Sequence, residues 1–257
     1  MTTYRLLTIG PSHYCEKARW ALERAGVAFT EDVHLPLLHW PYVLAAVGSR
    51  TVPALVGPGV RLRESRDIVR FADERSPAGA RLYPDGDDGR EVARLETWFD
   101  AKLGPLVRRL AYCLLVPEPE LFVRVFEPTA SPLERALLRR GHGALRAALG
   151  RAFKVSPRAE TRCREQLFAL YADVARELGD RPYLVGDRFS AADLTFAALS
   201  SPLLFPEELT AAAGSRVGAP SRDELPPRLR DAVDALRDTP AGRHALRVYR
   251  EHRVAMA

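Results

Sequence analysis

Cysteine, methionine and long apolar runs are scarce in this chain of 257 residues. The three cysteines form an odd and sparse set, which argues against a disulfide framework and leads us to expect a reducing, cytoplasmic setting. No apolar run approaches the length that spans a bilayer, and the first residues lack a charged-then-apolar signal pattern. We therefore expect no membrane segment and no secretory leader.

Patterns that hold metals, phosphates or nucleic acids are missing as well. The six histidines lack the Cys/His spacing of zinc sites, and no G-x-G-x-x-G or similar phosphate loop is present. The net charge is +5, but basic and acidic side chains alternate, as in Arg90-Glu91 and around Arg94. This mixing is typical of a solvated surface. We predict no metal site and neither a nucleic-acid nor a membrane partner.

The composition that is present fits a globular chain of two domains. The sequence is 47% hydrophobic and 28% charged, and its length suits one large or two small domains. A polar, turn-rich stretch at residues 82–89 predicts the boundary. Before it, strand and helix patterns alternate; after it, the apolar period is helical. We predict an α/β domain over residues 1–83 and an all-helical domain over residues 89–257.

The most informative stretch runs from Tyr4 to Gly26. An apolar strand ends at Gly10-Pro11, and Ser12 then stands where a helix N-cap is expected. Cys15 would lie in the first helical turn. Free N–H groups and the helix dipole at such an end favour a negative charge. The pattern therefore predicts a site for an anion or a thiolate at this strand-to-helix turn.

The following segments complete the first domain. Residues 27–34 predict a second strand, which would pair in parallel with the first through a right-handed crossover. Residues 51–56 and 60–63, joined by Gly57-Pro58-Gly59, predict a hairpin. Ser65 is predicted to cap the helix that follows.

Four motifs in this order resemble one known family. Ser12-His13-Tyr14-Cys15 resembles the C-x-x-C position of a thioredoxin-like fold, with Ser replacing the first Cys. The three further motifs resemble a V-P-A-L strand start, an E-S-x-x-I segment and a G-x-x-x-S-x-A-D motif, and they are Val52–Leu55, Glu64–Ile68 and Gly186–Asp193. Together they resemble the cytosolic glutathione transferase superfamily, in its serine-type theta-, zeta- and omega-like classes.

The resemblance implies a fold, a co-substrate and a set of site residues. It implies a thioredoxin-like α/β domain followed by an all-α domain of the glutathione transferase type. Glutathione would be the co-substrate, and Ser12 would hydrogen-bond its thiolate, a form that is scarce at neutral pH because a free thiol has a pKa of about 8.5. The other glutathione-binding candidates are His39, Arg50, Val52, Pro53 with a cis peptide bond, Glu64 and Ser65.

Several alternatives remain open at this stage. The favoured function is a transferase in which the thiolate attacks a small electrophile, with a role in detoxification; the same thiolate could instead drive a maleyl-type isomerisation. The chain could also be a non-catalytic binding module, or an oxidoreductase that uses Cys15 as its nucleophile. Omega-class members carry a cysteine where this chain has Ser12, so the sequence departs from them there.

Three further expectations concern the helical half and the assembly. Candidates for lining the second-substrate pocket are Trp98, Asp100, Arg108, Arg109 and Tyr112. An arginine that faces the cleft would favour an anionic substrate. Ser190 and Asp193 form a capping-box pattern, for which we predict a structural rather than a catalytic role. The family resemblance implies a homodimer.

Overall fold

The computed structural model describes residues 3–209 and 220–253. Its first part is a four-stranded sheet in the order β2-β1-β3-β4. β1 pairs in parallel with β2 and antiparallel with β3, and β3 forms an antiparallel hairpin with β4. The strands are β1 Tyr4–Thr8, β2 Phe29–Val33, β3 Ala54–Gly57 and β4 Val60–Leu62. The predicted strand directions are confirmed, although the strands are shorter than the sequence pattern suggested.

Helices cover both faces of this sheet. They are α1 His13–Arg24, α2 Trp40–Val47 and α3 Ser65–Asp73. α1 and α3 pack together on one face. On the other face, α2 closes a small separate core in which Val43 and Ala46 meet Leu7 and Ala54. Successive residues of β1 therefore point to opposite faces of the sheet and pack against helices on both sides, as in a thioredoxin-like fold.

The second part of the chain is helical. Its helices are α4 Gly86–Trp98, α5 Gly104–Leu115, α6 Pro119–Phe126, α7 Pro132–Ala152, α8 Pro157–Leu178, α9 Ala191–Leu204, α10 Pro227–Arg237 and α11 Pro240–His252. Short 3₁₀ segments lie at Ala78–Ala80, Glu127–Thr129 and Arg222–Glu224. α9 is buried almost throughout, and helices of both domains pack around it. No helix in the described ranges is long and apolar enough to cross a bilayer.

Several local predictions need correction. The N-cap of α3 is Glu64, and Ser65 is the first helical residue instead of the cap. α6 was not predicted, because Pro117 and Pro119 suggested a break, whereas Pro119 opens a new helix. The helix after Ser190 extends past Pro202 to Leu204. The glycines and prolines of residues 214–227 predict a loose connection, and part of this range lies outside the described residues.

The two domains share one core around α1. α1 packs between α3 and α9, so even its charged residues Lys17 and Arg19 have no exposed surface. The last helix also reaches α1: the Trp20 indole N–H donates to the His252 carbonyl at 3.1 Å, and Arg253 contacts Glu16 and Glu23. The end of the chain at His252 and Arg253 therefore holds α1, the helix that Ser12 precedes, in place. No sequence pattern predicted this role.

Candidate functional site

A cavity of about 350 Å³ opens between the two domains. Its volume falls within the range of small-molecule sites. The first domain contributes the end of β1, the start of α1 and the loops around His39 and Val52. The second domain contributes mainly apolar side chains from α5, α6, α7 and α10, among them Leu114, Val125 and Val233. An apolar wall thus faces a polar rim supplied by the thioredoxin-like domain.

Ser12 lies at this cavity as the N-cap of α1. Its backbone is extended, and its side chain makes no capping hydrogen bond. The first helical bond runs from the Glu16 N–H to the Ser12 carbonyl at 2.9 Å. The N–H groups of residues 13–15 therefore precede the helical ladder and point toward its open end. A hydroxyl and a helix N-terminus meet at one point, which suits an anion.

Cys15 is enclosed within α1. The side chain has no exposed surface and is absent from the cavity lining. Burial raises the pKa of the Cys15 thiol to about 11, although a hydrogen bond with the Ser12 side chain and the charge of Arg19 act to lower it. A thiol in this state is a poor nucleophile, because the thiolate is the reactive form. The geometry therefore assigns Cys15 to the core, contrary to its candidacy as a catalytic residue.

His13 is a cavity residue that the sequence reasoning overlooked. Its side chain is buried, and Nε2 donates to the Gly104 carbonyl at 3.0 Å, which assigns the proton to that nitrogen. Burial, reinforced by the charge of Arg108, lowers the pKa of His13 to about 3. The imidazole is therefore neutral at physiological pH. Its position directly after the N-cap was the available signal.

A π-helical segment, Phe99–Leu103, fastens the start of α1. Between α4 and α5 it presents the carbonyl of Asp100, which accepts the Tyr14 hydroxyl at 2.7 Å. The Asp100 carboxylate binds the Lys17 ammonium at 2.8 Å, and Glu96 binds the same ammonium at 3.0 Å. These contacts hold the first turn of α1 against the helical domain.

The loop before β3 forms another side of the cavity. The Val52–Pro53 peptide bond is cis, as predicted. The His39 Nε2–H donates to the Arg50 carbonyl at 2.9 Å, so the tautomer leaves Nδ1 without a proton. His39 therefore positions the loop rather than offering a donor. The Arg50 guanidinium lies over the Trp40 ring, 5.3 Å from its centroid, and is exposed at the cavity.

Glu64 and Ser65 lie at the N-terminus of α3, outside the cavity lining itself. Glu64 is exposed, and Ser65 is buried. The charge of Glu64 is among the influences that raise the pKa of the Tyr14 phenol, after burial and Asp100. Glu64 therefore lies near enough to Tyr14, which lines the cavity, for its charge to act on the phenol.

The predicted second-substrate residues divide into two groups. Arg108 and Tyr112 line the cavity, as expected. Trp98 borders a separate surface hollow, Asp100 is engaged by Lys17, and Arg109 does not contribute to the lining. One helical turn separates Arg108 from Tyr112, whereas the adjacent position 109 points elsewhere, because successive residues diverge by about 100° around a helix. The structure therefore corrects three of the five candidates.

Two residues at the cavity have strained backbones. Leu37 has φ of 71° and Phe205 has φ of 47°, in the left-handed region that non-glycine residues seldom adopt. Such strain clusters at sites where the surrounding structure fixes a functional geometry. Both residues line the apolar part of the cavity, so the two strained backbone positions lie at its wall.

Asp193 serves the fold. It has no exposed surface, and its carboxylate accepts hydrogen bonds from the Leu184 N–H at 2.9 Å and the Ser190 hydroxyl at 2.8 Å. The His244 imidazole lies 3.0 Å away. The carboxylate thus joins the loop before α9, the start of α9 and α11. Among the described residues, no group of His, Cys, Asp and Glu has the arrangement of a metal site.

Sequence and structure comparisons agree with this architecture. A thioredoxin-like domain with a serine at the start of its first helix, joined to a helical domain across an apolar cavity, defines the glutathione-transferase class of fold. The family model for the glutathione S-transferase N-terminal domain matches residues 6–80, and that for the C-terminal domain matches residues 157–214. The two matches together span just over half of the chain, which belongs to the cytosolic glutathione transferase superfamily.

Solved structures share the fold at low sequence identity. A theta class glutathione S-transferase from Xanthomonas axonopodis pv. citri, with glutathione bound, is 20% identical with a TM-score of 0.56, covering 96% of this chain and 98% of its own. Glutathione transferase F7 from Populus trichocarpa is 15% identical with a TM-score of 0.56, covering 95% and 98%. A possible glutathione S-transferase from Rhodopseudomonas palustris is 16% identical with a TM-score of 0.56, covering 97% and 94%. No curated protein sequence is similar enough to count as a match.

Proposed function

We propose that this protein is a glutathione-dependent transferase in which Ser12 stabilises the glutathione thiolate. The observation that carries the proposal is the position of Ser12, an N-cap hydroxyl free of any capping bond at the mouth of an apolar cavity. A hydroxyl that donates to a thiolate favours the charged form, and the N-terminus of α1 adds to the effect. Both would lower the pKa of the bound thiol.

The thioredoxin-like domain would supply a partner for each part of glutathione. Glu64 would bind the γ-glutamyl ammonium, while Ser65 and the free N–H groups of α3 would bind its carboxylate. Val52 lies two residues before the β1–β3 register, which begins at Ala54, and its backbone would pair with the cysteinyl unit. Arg50 would bind the glycyl carboxylate, with His39 holding its loop. The Xanthomonas structure, which contains glutathione, has the same fold.

The second substrate would be a small electrophile in the apolar part of the cavity. The sulfur attacks an electrophilic carbon, a carbon–sulfur bond forms, and the leaving group departs with its electron pair. Apolar walls suit this step, because electrostatic stabilisation of the thiolate is stronger where water is excluded. If the thiolate adds to a double bond and later leaves, the same site isomerises its substrate. By extension from the family we also propose a cytoplasmic homodimer with a role in detoxification.

Calorimetric titration with reduced glutathione tests the proposed binding. We expect saturable binding that Glu64→Ala weakens about tenfold, because a charge-assisted contact is worth about 1.5 kcal/mol. Glu74→Ala is the matched control, since Glu74 is an exposed glutamate at the other end of α3. Absence of binding at millimolar glutathione would refute the proposal.

The role of Ser12 is tested through the pKa of the bound thiol. Ultraviolet absorbance of the thiolate, followed against pH, should give a pKa below the free value of about 8.5. Ser12→Ala should raise this pKa toward the free value, because alanine has no hydroxyl to donate to the thiolate, while Ser12→Thr should retain most of the shift. An unchanged pKa in Ser12→Ala would contradict the assignment.

A Cys15 oxidoreductase is the competing enzyme class. Two assays distinguish the classes: conjugation of glutathione to an electrophile, and reduction of a small disulfide by glutathione. We expect Cys15→Ser to keep the wild-type rate in both assays and Ser12→Ala to lose the conjugation rate, because Cys15 is buried with a raised pKa. The reverse pattern would reassign the chemistry to Cys15.

A further inference from the structure

The charges around the cavity are of one sign. Among the described residues that line it, Arg50 and Arg108 are the charged side chains, and none is Asp or Glu. The two histidines of the lining, His13 and His39, both have a pKa lowered mainly by burial, which favours their neutral form. An apolar cavity with unneutralised guanidinium groups attracts anions, because a charge is felt over a longer range where the walls exclude water.

Arg50 and Arg108 lie on different domains and would serve different ligands. Arg50 follows α2, over Trp40 and beside Val52, on the rim proposed for glutathione. Arg108 lies on α5, in the wall of the helical domain. If Arg50 binds the glycyl carboxylate, Arg108 is left to face the space that the second substrate would occupy.

The Arg108 guanidinium rests on an aromatic surface inside the cavity. Its central carbon lies 5.3 Å from the centroid of the Phe153 ring, and Tyr112 stacks on the same ring at 4.4 Å. Within the described residues, Arg108 forms no ion pair with a carboxylate. Arg108 lines the same cavity as Ser12 and His13 at the start of α1, and its charge helps to lower the pKa of His13.

We propose that the second substrate is an aromatic or otherwise apolar electrophile that carries a carboxylate or sulfonate, and that Arg108 binds this anionic group. The inference rests on the proposed function for the identity of the reaction, but the anion site itself does not. Arg108 would also offset the repulsion between a negatively charged substrate and the thiolate at Ser12. Tyr112 and Phe153 would contact the apolar part of the molecule.

Turnover of a matched acid and ester provides the first test. The probes are 4-chloro-3,5-dinitrobenzoate and its methyl ester: glutathione sulfur bonds to the ring carbon that bears chlorine, chloride leaves with the bonding pair, and the thiol proton passes to solvent. The wild-type protein should prefer the acid. Arg108→Gln should lower the ratio of kcat/KM for acid over ester about two- to fivefold, as expected for one exposed charge pair.

Arg109→Gln is the matched control. It removes the same charge from the next position of α5, which does not line the cavity. This variant should keep the wild-type ratio, and thermal melting should show that both variants are folded. An equal fall of the ratio in both variants, or no fall in Arg108→Gln, would overturn the proposal.

Fluorescence binding tests the anion site without any reaction. The probes are 8-anilinonaphthalene-1-sulfonate and neutral N-phenyl-1-naphthylamine, which differ by the sulfonate. Arg108→Gln should weaken binding of the sulfonate about two- to fivefold relative to the neutral probe, and Arg109→Gln should not. If this selectivity holds while glutathione does not bind, the anion site stands and the transferase assignment fails. If the variant binds both probes as the wild type does, the anion site is overturned.

Discussion

At the scale of single residues, the site consists of polar groups whose chemistry depends on their burial. Ser12 lines the cavity and makes no capping bond, although its side chain contacts the Cys15 thiol; Cys15, three positions later, is enclosed and protonated. His13 lies between them with a strongly lowered pKa. At the cavity, the start of α1 therefore presents a hydroxyl and a neutral imidazole, while the thiol of Cys15 stays protonated in the core.

The buried state of His13 makes stability sensitive to acid. Its pKa is about 3 in the folded protein and 6.5 as the reference value, so the unfolded chain binds more protons between these limits. Folding stability should therefore fall as the pH drops below 6.5, by about 2 kcal/mol at pH 5. Urea unfolding at pH 7 and pH 5 measures this loss.

His13→Gln is the control for this prediction. A glutamine amide can still donate to the Gly104 carbonyl, but it does not titrate. The variant should therefore lose less free energy of unfolding than the wild type over the same pH interval. Equal losses in the two proteins would show that His13 does not carry the effect.

The residue scale also shows what the sequence could not predict. Ser12, Arg50, Val52, Arg108 and Tyr112 were all named from motifs or spacing, and the structure brings them to one cavity. The motifs could not show which side chains become buried when the protein folds. The charged residues Lys17 and Arg19 of α1 are buried, because helices of the second domain pack against α1. This burial decides which side chains remain reactive.

At the scale of elements, the π-helical segment and α1 act as a unit. The sequence indicated an interruption at Gly104-Pro105, because proline removes a helical donor. Instead, the chain forms a π-helical turn at Phe99–Leu103 and continues as α5, with the proline in its first turn. The widened turn directs the Asp100 carbonyl to Tyr14. Local propensity could locate the irregularity, but not its geometry or its partner.

Gly104 is required for this close approach. An added Cβ would lie 2.1 Å from the Tyr14 hydroxyl oxygen, so Gly104→Ala must displace the Tyr14 ring or α5. We expect a loss of about 1–3 kcal/mol in the free energy of unfolding, typical of overpacking. Chemical denaturation measures it.

Gly141→Ala offers the matched control within α7. Nothing lies within 4 Å of a Cβ added at Gly141, so this variant should be more stable by about 0.5–1 kcal/mol through helix propensity alone. If both alanine variants were stabilised, the clash at Gly104 would be refuted.

At the scale of the whole molecule, one buried ionic cluster joins distant parts of the chain. Arg253 donates to Glu16 at 2.7 Å and to Glu23 at 2.6 Å, and its guanidinium lies over the Trp20 ring. The partners on α1 precede Arg253 by 237 and 230 residues. Sequence motifs predicted both domains separately, but a contact over this separation leaves no local pattern by which to find it.

Arg253→Met should destabilise the protein by about 3–5 kcal/mol, because it removes a cation from buried carboxylates. Urea unfolding, followed by tryptophan fluorescence, measures the change. Arg250→Met is the control: Arg250 is exposed on the same helix, so the expected change is within about 0.5 kcal/mol. Similar stabilities of the two variants would show that the cluster contributes little.

The Arg253 cluster also bears on the order in which the protein is made. α1 leaves the ribosome long before Arg253 is translated, because 237 residues separate Glu16 from Arg253. The thioredoxin-like domain is therefore synthesised without its Arg253 contacts. The final packing of the helix that Ser12 caps therefore waits until residue 253 has left the ribosome. A nascent chain arrested before residue 253 should lack this contact, and its candidate site should be less well ordered than that of the full chain.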